Sequence, residues 1–420
     1  MINMVERLRK IGFAKLTSVE DALDLLFLNT KAVSTEEIDT PNSLNRIIAE
    51  DIESRIDVPG FDKSAMDGYA LIAEDTFEAS PNSPKYVKKV GKIEIGEASD
   101  LSIKRGEAIR ISTGAVIPKG ADAVVKIEDT EMEENNMIKI YNPVAPGKNV
   151  AKQGEDIHKG EIILKKGTEL KAEHIALLSS QGIQKIQVFI RPKVSVFATG
   201  DELVEIGEPL GKSQIYNSNT PMIANLVRTY GGEVISAATL KDNKSLITKN
   251  LLQAIQSSDM VLFTGGTSVG TQDYLPEVVN ENANVLTHGV AMRPGEPILI
   301  AHKNDTLIFC LPGTPVAAYV GFLKFAGPAI RKMMGAKETD PRKQIIAEMD
   351  KDIPVSRMGY LHYLRVYLEF KRDKIIARSV RLKGSGIITS LTNSDGIVEI
   401  TKDQEGLKAG EKILVKLLPI

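Results

Sequence analysis

From residue 186 onward the chain alternates short apolar runs with stretches of helical period. The run Asp259–Thr264 has too little polar alternation for a half-exposed strand and reads as a short, fully buried one, with further strands expected near 186–199, 231–240 and Thr306–Leu311. Between and after them, residues 220–230, Lys244–Ser257, 274–281 and 314–334 carry helix-length periods. This βαβα order predicts a doubly wound, mostly parallel α/β domain over residues 186–336. Earlier, residues 17–29 read as a helix with Thr17 or Ser18 as N-cap and Ala22, Leu25, Leu26 and Leu28 near one face. Residues 51–58 alternate like an edge strand, and 86–141 form short strands and turns with no helical period, with a polar hairpin tip at 131–136. After turn-rich 149–161, Ala172–Ser180 reads as a helix stopped by Gly182. Strand texture returns beyond Gly335. The expected organisation is a mixed N-terminal domain split over 1–60 and 146–185, a small β domain inserted at 61–145, the α/β domain at 186–336, and a C-terminal β domain at 337–420, read as a β-barrel with a sandwich as the alternative.

Composition narrows the function classes. A chain of 420 residues with net charge −2 leaves no basic footprint for nucleic acid or an acidic membrane surface. The single cysteine, Cys310, lies in an apolar run, so no disulfide framework is expected, a cytoplasmic setting fits, and packing is its expected role. Neither an export signal nor a membrane span is expected. The five histidines have no metal-ligand spacing, so zinc or iron is not expected.

The candidate chemistry centres on the loop after Met260–Thr264. Gly265, Gly266 and Gly270 let backbone amides approach an anion, Thr267 and Ser268 add hydroxyls, and Asp273 could hold a divalent cation against a bound phosphate. In such a sheet ligands bind beyond the carboxyl ends of the strands. Loops 199–203, 241–243, 265–273 and 312–315 all occupy that edge and bring Asp201, Glu202, Asp242 and Asp273. Carboxylates around an amide nest suit an anhydride or phosphoester held with Mg²⁺. No Ser-His-Asp or Cys-His arrangement and no G-x-x-x-x-G-K-[ST] loop is present. The acidic, turn-rich segment 59–70 stands apart, and Met66 and Tyr69 beside Asp67 predict a partly buried carboxylate.

In order and spacing, GFDKSAMDGYA (60–70), RISTGAVIPKGADAVV (110–125), GEDI (154–157), FATGDEL (197–203), FTGGTSVGTQDY (263–274) and LPGTPVAA (311–318) resemble the molybdopterin molybdenumtransferase family (MoeA and the E domain of gephyrin) over nearly the whole chain. The resemblance implies an elongated homodimer of four-domain subunits, with each active site formed by the α/β domain of one subunit and the inserted domain of the other. It implies Mg²⁺-dependent cleavage of adenylylated molybdopterin, release of AMP, and transfer of molybdate to the dithiolene. Asp67, Thr113, Asp156 and Glu202 would line the pocket, Asp242 and Asp273 would position Mg²⁺ and the anhydride, and Pro312, Gly313 and Pro315 would shape the pterin wall. Arg293, Arg365 and Ser385 would hold the oxyanion.

The chain departs from the family pattern at Glu296, where a second lysine is usual, at Thr314, where asparagine is usual, and at Thr267, where valine is common. These departures bear on whether molybdate or tungstate is used. A molybdopterin adenylyltransferase shares the α/β fold and a Gly-Gly-Thr loop but lacks the 60–70 and C-terminal units; such an enzyme is also a possible partner. A non-catalytic, gephyrin-like scaffold or carrier is the alternative from another class.

Overall fold

The computed structural model describes residues 16–98, 100–266, 274–380 and 384–419. It forms two compact units, one of residues 1–50, 166–171 and 185–420, the other of 51–165 and 172–184.

In the larger unit helix α1 (Val19–Leu28) begins where the Ser18 side chain accepts the Asp21 N–H at 3.0 Å. It buries Val19, Ala22 and Leu26, whereas Leu28, expected near the same face, is 82% exposed in the last turn. The α/β sheet consists of β1 (Lys193–Thr199), β2 (Glu233–Leu240), β3 (Met260–Thr264), β4 (Asn284–His288), β5 (Leu299–Lys303) and β6 (Thr306–Leu311), in the order β2-β1-β3-β6-β5-β4. The first four are mutually parallel, and β5 runs antiparallel to both neighbours. Helices α2 (Asn219–Thr229), α3 (Lys244–Ser257), α4 (Leu275–Asn282) and α5 (Pro315–Gly321) supply the layers. Alternate residues of the central strands go to opposite faces: Met260, Leu262, Leu307 and Phe309 join the core of α1, α2 and α5, and Val261, Phe263, Ile308 and Cys310 join that of α3 and α4. Burial on both faces explains the unbroken apolar runs. The expected helix over 314–334 is α5 followed by a π-helical turn, Phe322–Ala326, and a final helix, Gly327–Met333.

The C-terminal strands close on themselves. Gln344–Met349, Lys412–Leu417, Gly396–Ile400, Leu361–Phe370 and Ile375–Ser379 pair in that sequence, and the last pairs back to the first, making a five-stranded barrel. Leu361, Tyr363 and Ile397 on the barrel share one core with Tyr230, Phe322 and Phe325 of the α/β domain. The barrel also recruits Met292–Arg293, which pairs in parallel with Leu361–His362.

The smaller unit is built on a six-stranded sheet in the order Ala123–Lys126, Gly68–Leu71, Glu107–Ile111, Lys85–Ile93, Met137–Ile140, Thr130–Met132. Its core holds Leu71, Val87, Ile93, Ile109 and Ile111. The expected hairpin tip lies between Thr130–Met132 and Met137–Ile140. Of the edge strand expected over 51–58, only Ile52–Glu53 pairs in a strand, with Ile162–Leu164.

Candidate active site

At the carboxyl end of the sheet, β3 passes into Gly265 (φ +97°) and Gly266 (φ +58°), backbone conformations that favour glycine. A Cβ on Gly265 would lie 2.4 Å from the Thr199 carbonyl oxygen, so β1 and the loop approach as closely as they do because no side chain intervenes. The Gly265 N–H donates to the Leu311 carbonyl at 3.1 Å. Gly313, beyond β6, packs so that a Cβ there would be 3.3 Å from the Gly265 Cα, and its carbonyl accepts Asn219 Nδ2–H at 2.7 Å. Among the described residues, the side-chain oxygens of Thr199, Thr264 and Asn219 are buried here without a hydrogen-bond partner. Such orphaned polar atoms are uncommon in a finished interior and suit a site that receives a polar ligand. Thr267, Ser268, Gly270 and Asp273 lie outside the described residues.

Beyond β1 and β2, Glu202 is exposed and Asp242 half-buried. The Asp242 N–H donates to Asp201 Oδ1 at 3.3 Å, and Asn243 caps α3 by accepting the Leu246 N–H at 3.0 Å. No cluster of three His, Cys, Asp or Glu side chains suited to a metal occurs among the described residues.

A cavity of about 1090 Å³ opens between the α/β domain and the barrel. It is lined by Gly266, Pro312, Gly313, Arg293, Arg365 and Ser385, so the structure brings six of the candidates together. Glu202, Asp242 and Pro315 are not among its described lining residues. Arg293 donates to Ser356 Oγ at 3.3 Å, its guanidinium lies 5.0 Å from the Tyr360 ring centroid, and it meets Glu296 at 3.8 Å. Arg365 is 4% exposed. Burial pulls its pKa below the ordinary arginine value, but a guanidinium stays charged at any working pH. The Ser385 carbonyl accepts the Val316 N–H at 3.0 Å, fastening that turn to the start of α5. Thr314 also lines the cavity. The contributions of Ser356, Tyr360, His362 and Tyr363 were not foreseen from the sequence; the alternating run 359–370 signals a strand but not which face meets a ligand.

In the smaller unit the Asp67 carboxylate accepts the Thr113 N–H at 2.8 Å, joining two candidates. The expectation that Asp67 is partly buried is corrected: it is exposed, and Met66 beside it is 40% exposed. The tight neighbour is Gly68, which enters the sheet and points the chain inward only after Asp67 has faced water. Asp156 is exposed and donates its N–H to the Val58 carbonyl at 3.0 Å. Asp62 accepts from Lys152 at 2.7 Å and from the Gln153 N–H at 2.9 Å, with the lysine contact holding its carboxyl below the usual range.

Family models match three successive segments: the MoeA N-terminal region (domains I and II) at residues 17–182, a probable molybdopterin-binding domain at 195–332, and the MoeA C-terminal region (domain IV) at 349–418. The molybdopterin molybdenumtransferase of Bacillus subtilis is 34% identical over 404 residues, covering 95% of this chain and 94% of that protein. That of Staphylococcus aureus is 33% identical over 399 residues, 94% of each. The crystal structure of the molybdopterin biosynthesis MoeA protein from Pyrococcus horikoshii superposes with a TM-score of 0.85 at 35% identity, covering 96% of this chain and 100% of that one. The chain therefore belongs to the MoeA family of molybdenum cofactor biosynthesis, a family of transferases.

Proposed function

We propose that the protein is a molybdopterin molybdenumtransferase, taking adenylylated molybdopterin and molybdate or tungstate, releasing AMP with Mg²⁺, and leaving the metal oxo group on the dithiolene sulfurs. The observation that carries this reading is the cavity in which Arg293, Arg365 and Ser385 share walls with Pro312, Gly313 and Gly266. Two guanidiniums give a tetrahedral dianion fixed, directional donors. The prolines and glycines beside them leave room for a flat pterin. Next to the cavity, the orphaned oxygens of Thr199, Thr264 and Asn219 suit the polar part of the substrate. Asp242, with Asp273 by family resemblance, would hold Mg²⁺, which when bound supplies neutralising charge to the phosphoanhydride oxygens.

The same reading assigns Glu202 to the pocket on the α/β side, Asp67 and Thr113 to the pocket from the inserted domain, and Asp156 to the pocket from the N-terminal domain. It includes Thr267, Ser268 and Gly270 in the phosphate nest and Pro315 in the pterin wall. It also carries the four-domain division, a cytoplasmic homodimer, and a molybdopterin adenylyltransferase as the supplier of the adenylylated substrate.

The test is AMP release from adenylylated molybdopterin and Mg²⁺, with and without molybdate or tungstate. Release that requires either oxyanion, and is lost in Asp242→Asn, is expected. Tight molybdopterin binding without AMP release would favour a scaffold or carrier instead.

A further inference from the structure

Within the cavity, Glu296 is the one carboxylate among the described lining residues, against the guanidiniums of Arg293 and Arg365. Its carboxylate lies 3.8 Å from Arg293, close enough for ion pairing and too far for a hydrogen bond. The pair is partly open to water, at 37% and 29% side-chain exposure. The turn that creates it is firmly built: Gly295 has φ +122°, and the Val290 N–H donates to the Glu296 carbonyl at 2.8 Å. Arg293 does not need Glu296 to hold its place, because Ser356 accepts from it at 3.3 Å, Tyr360 lies under its guanidinium, and its backbone pairs with the barrel at His362. What Glu296 changes is therefore the charge that Arg293 presents rather than its position.

We propose that Glu296 is a built-in competitor for Arg293, an internal anion that an entering oxyanion must displace from the guanidinium. This assignment rests on the reading of the cavity as the oxyanion site. Glu296 then acts as a specificity-determining residue. It raises the threshold for weakly charged anions and keeps a metal oxyanion loosely enough held to be handed on to the pterin, since a cargo bound too firmly would not leave.

The experiment is titration of molybdate, and separately of tungstate, into the full-length protein by isothermal calorimetry, using wild type, Glu296→Gln and Glu296→Asp. The first two side chains are compared again in an Arg293→Met background. Glu296→Gln is expected to tighten binding about fivefold, the scale of a partly exposed ion pair. Glu296→Asp, too short to reach as far, should fall between. In the Arg293→Met background the gain should vanish, which a merely structural role for Glu296 would not produce. An unchanged thermal midpoint for Glu296→Gln checks that the fold is intact. Equal or weaker binding by Glu296→Gln overturns the proposal, as does the same gain without Arg293, or no oxyanion binding to any form. AMP release assayed in parallel separates the two readings. Oxyanion-dependent release without the Glu296 effect leaves the enzyme standing and removes the competitor. The Glu296 effect without any release keeps the competitor and removes the enzyme.

Discussion

The carboxylate of Asp67 accepts the backbone N–H of Thr113 at 2.8 Å, binding the loop before the strand Gly68–Leu71 to the turn after Glu107–Ile111. The strands already pair, Gly68 opposite Ile111, so this bond finishes a corner rather than creating it. Asp67→Asn keeps an acceptor oxygen and loses the charge, whereas Asp67→Ala loses both. Thermal unfolding should be almost unchanged for the asparagine and weakened by about 1 kcal/mol for the alanine. Turnover should fall in both, at least tenfold, if the proposed catalytic use of the charge holds; an active asparagine variant would reduce Asp67 to a turn residue.

Gly68 admits no side chain. A Cβ there would lie 1.9 Å from the Val125 carbonyl oxygen, part of the backbone of a paired strand. Gly68→Ala should therefore destabilise the smaller unit by about 4 kcal/mol or more. Limited proteolysis and the thermal midpoint would show this, and a wild-type profile would mean that the sheet tolerates a displaced edge.

Lys324, on the π-helical turn, is half-buried and faces Glu399 of the barrel at 3.6 Å, with Lys416 on the same carboxylate at 3.1 Å. Burial lowers its pKa, with Glu399 only partly compensating. A lysine whose folded pKa lies below its unfolded one binds fewer protons when folded, so stability rises with pH between those two values. Lys324→Met should leave stability at neutral pH equal or higher and remove that alkaline rise. Denaturation midpoints across the alkaline range measure it, and a large loss at neutral pH would show that the ion pair outweighs its desolvation.

Cys310 is fully buried in β6, and burial drives its thiol far above the ordinary cysteine range. A thiol held in that state offers no thiolate for catalysis. Native protein should resist alkylation by iodoacetamide, and Cys310→Ala should retain its turnover while losing about 1 kcal/mol or more of stability to the cavity left behind. Loss of turnover in a folded Cys310→Ala protein would contradict a packing role.

The α/β domain was largely legible because its central strands are buried on both faces and its helices are not. Lys244–Ser257, Met260–Thr264 and Thr306–Leu311 coincide with the expected elements. β4 and β5 escaped notice since no crossover helix separates β5 from β6. Their connection is the two-residue turn Asn304-Asp305, with Asn304 at φ 52°, a hairpin signal lying between two apolar runs. Arg293, Arg365 and Ser385 came from family resemblance, and their meeting in one cavity depends on chain segments far apart in sequence. Ser356 and Tyr360 lay hidden for the same reason, as nothing local in residues 353–360 says that they support an arginine more than 60 positions earlier.

Arg293 belongs to the α/β segment by sequence but is hydrogen-bonded as an extra strand on the barrel. Exchanging the C-terminal barrel for that of a relative would therefore transplant the seat of this arginine along with the barrel. A chimaera so made would keep Arg293 and Glu296 but rest them on a foreign strand, so residues 292–296 and the barrel are best exchanged together, as a single heritable unit.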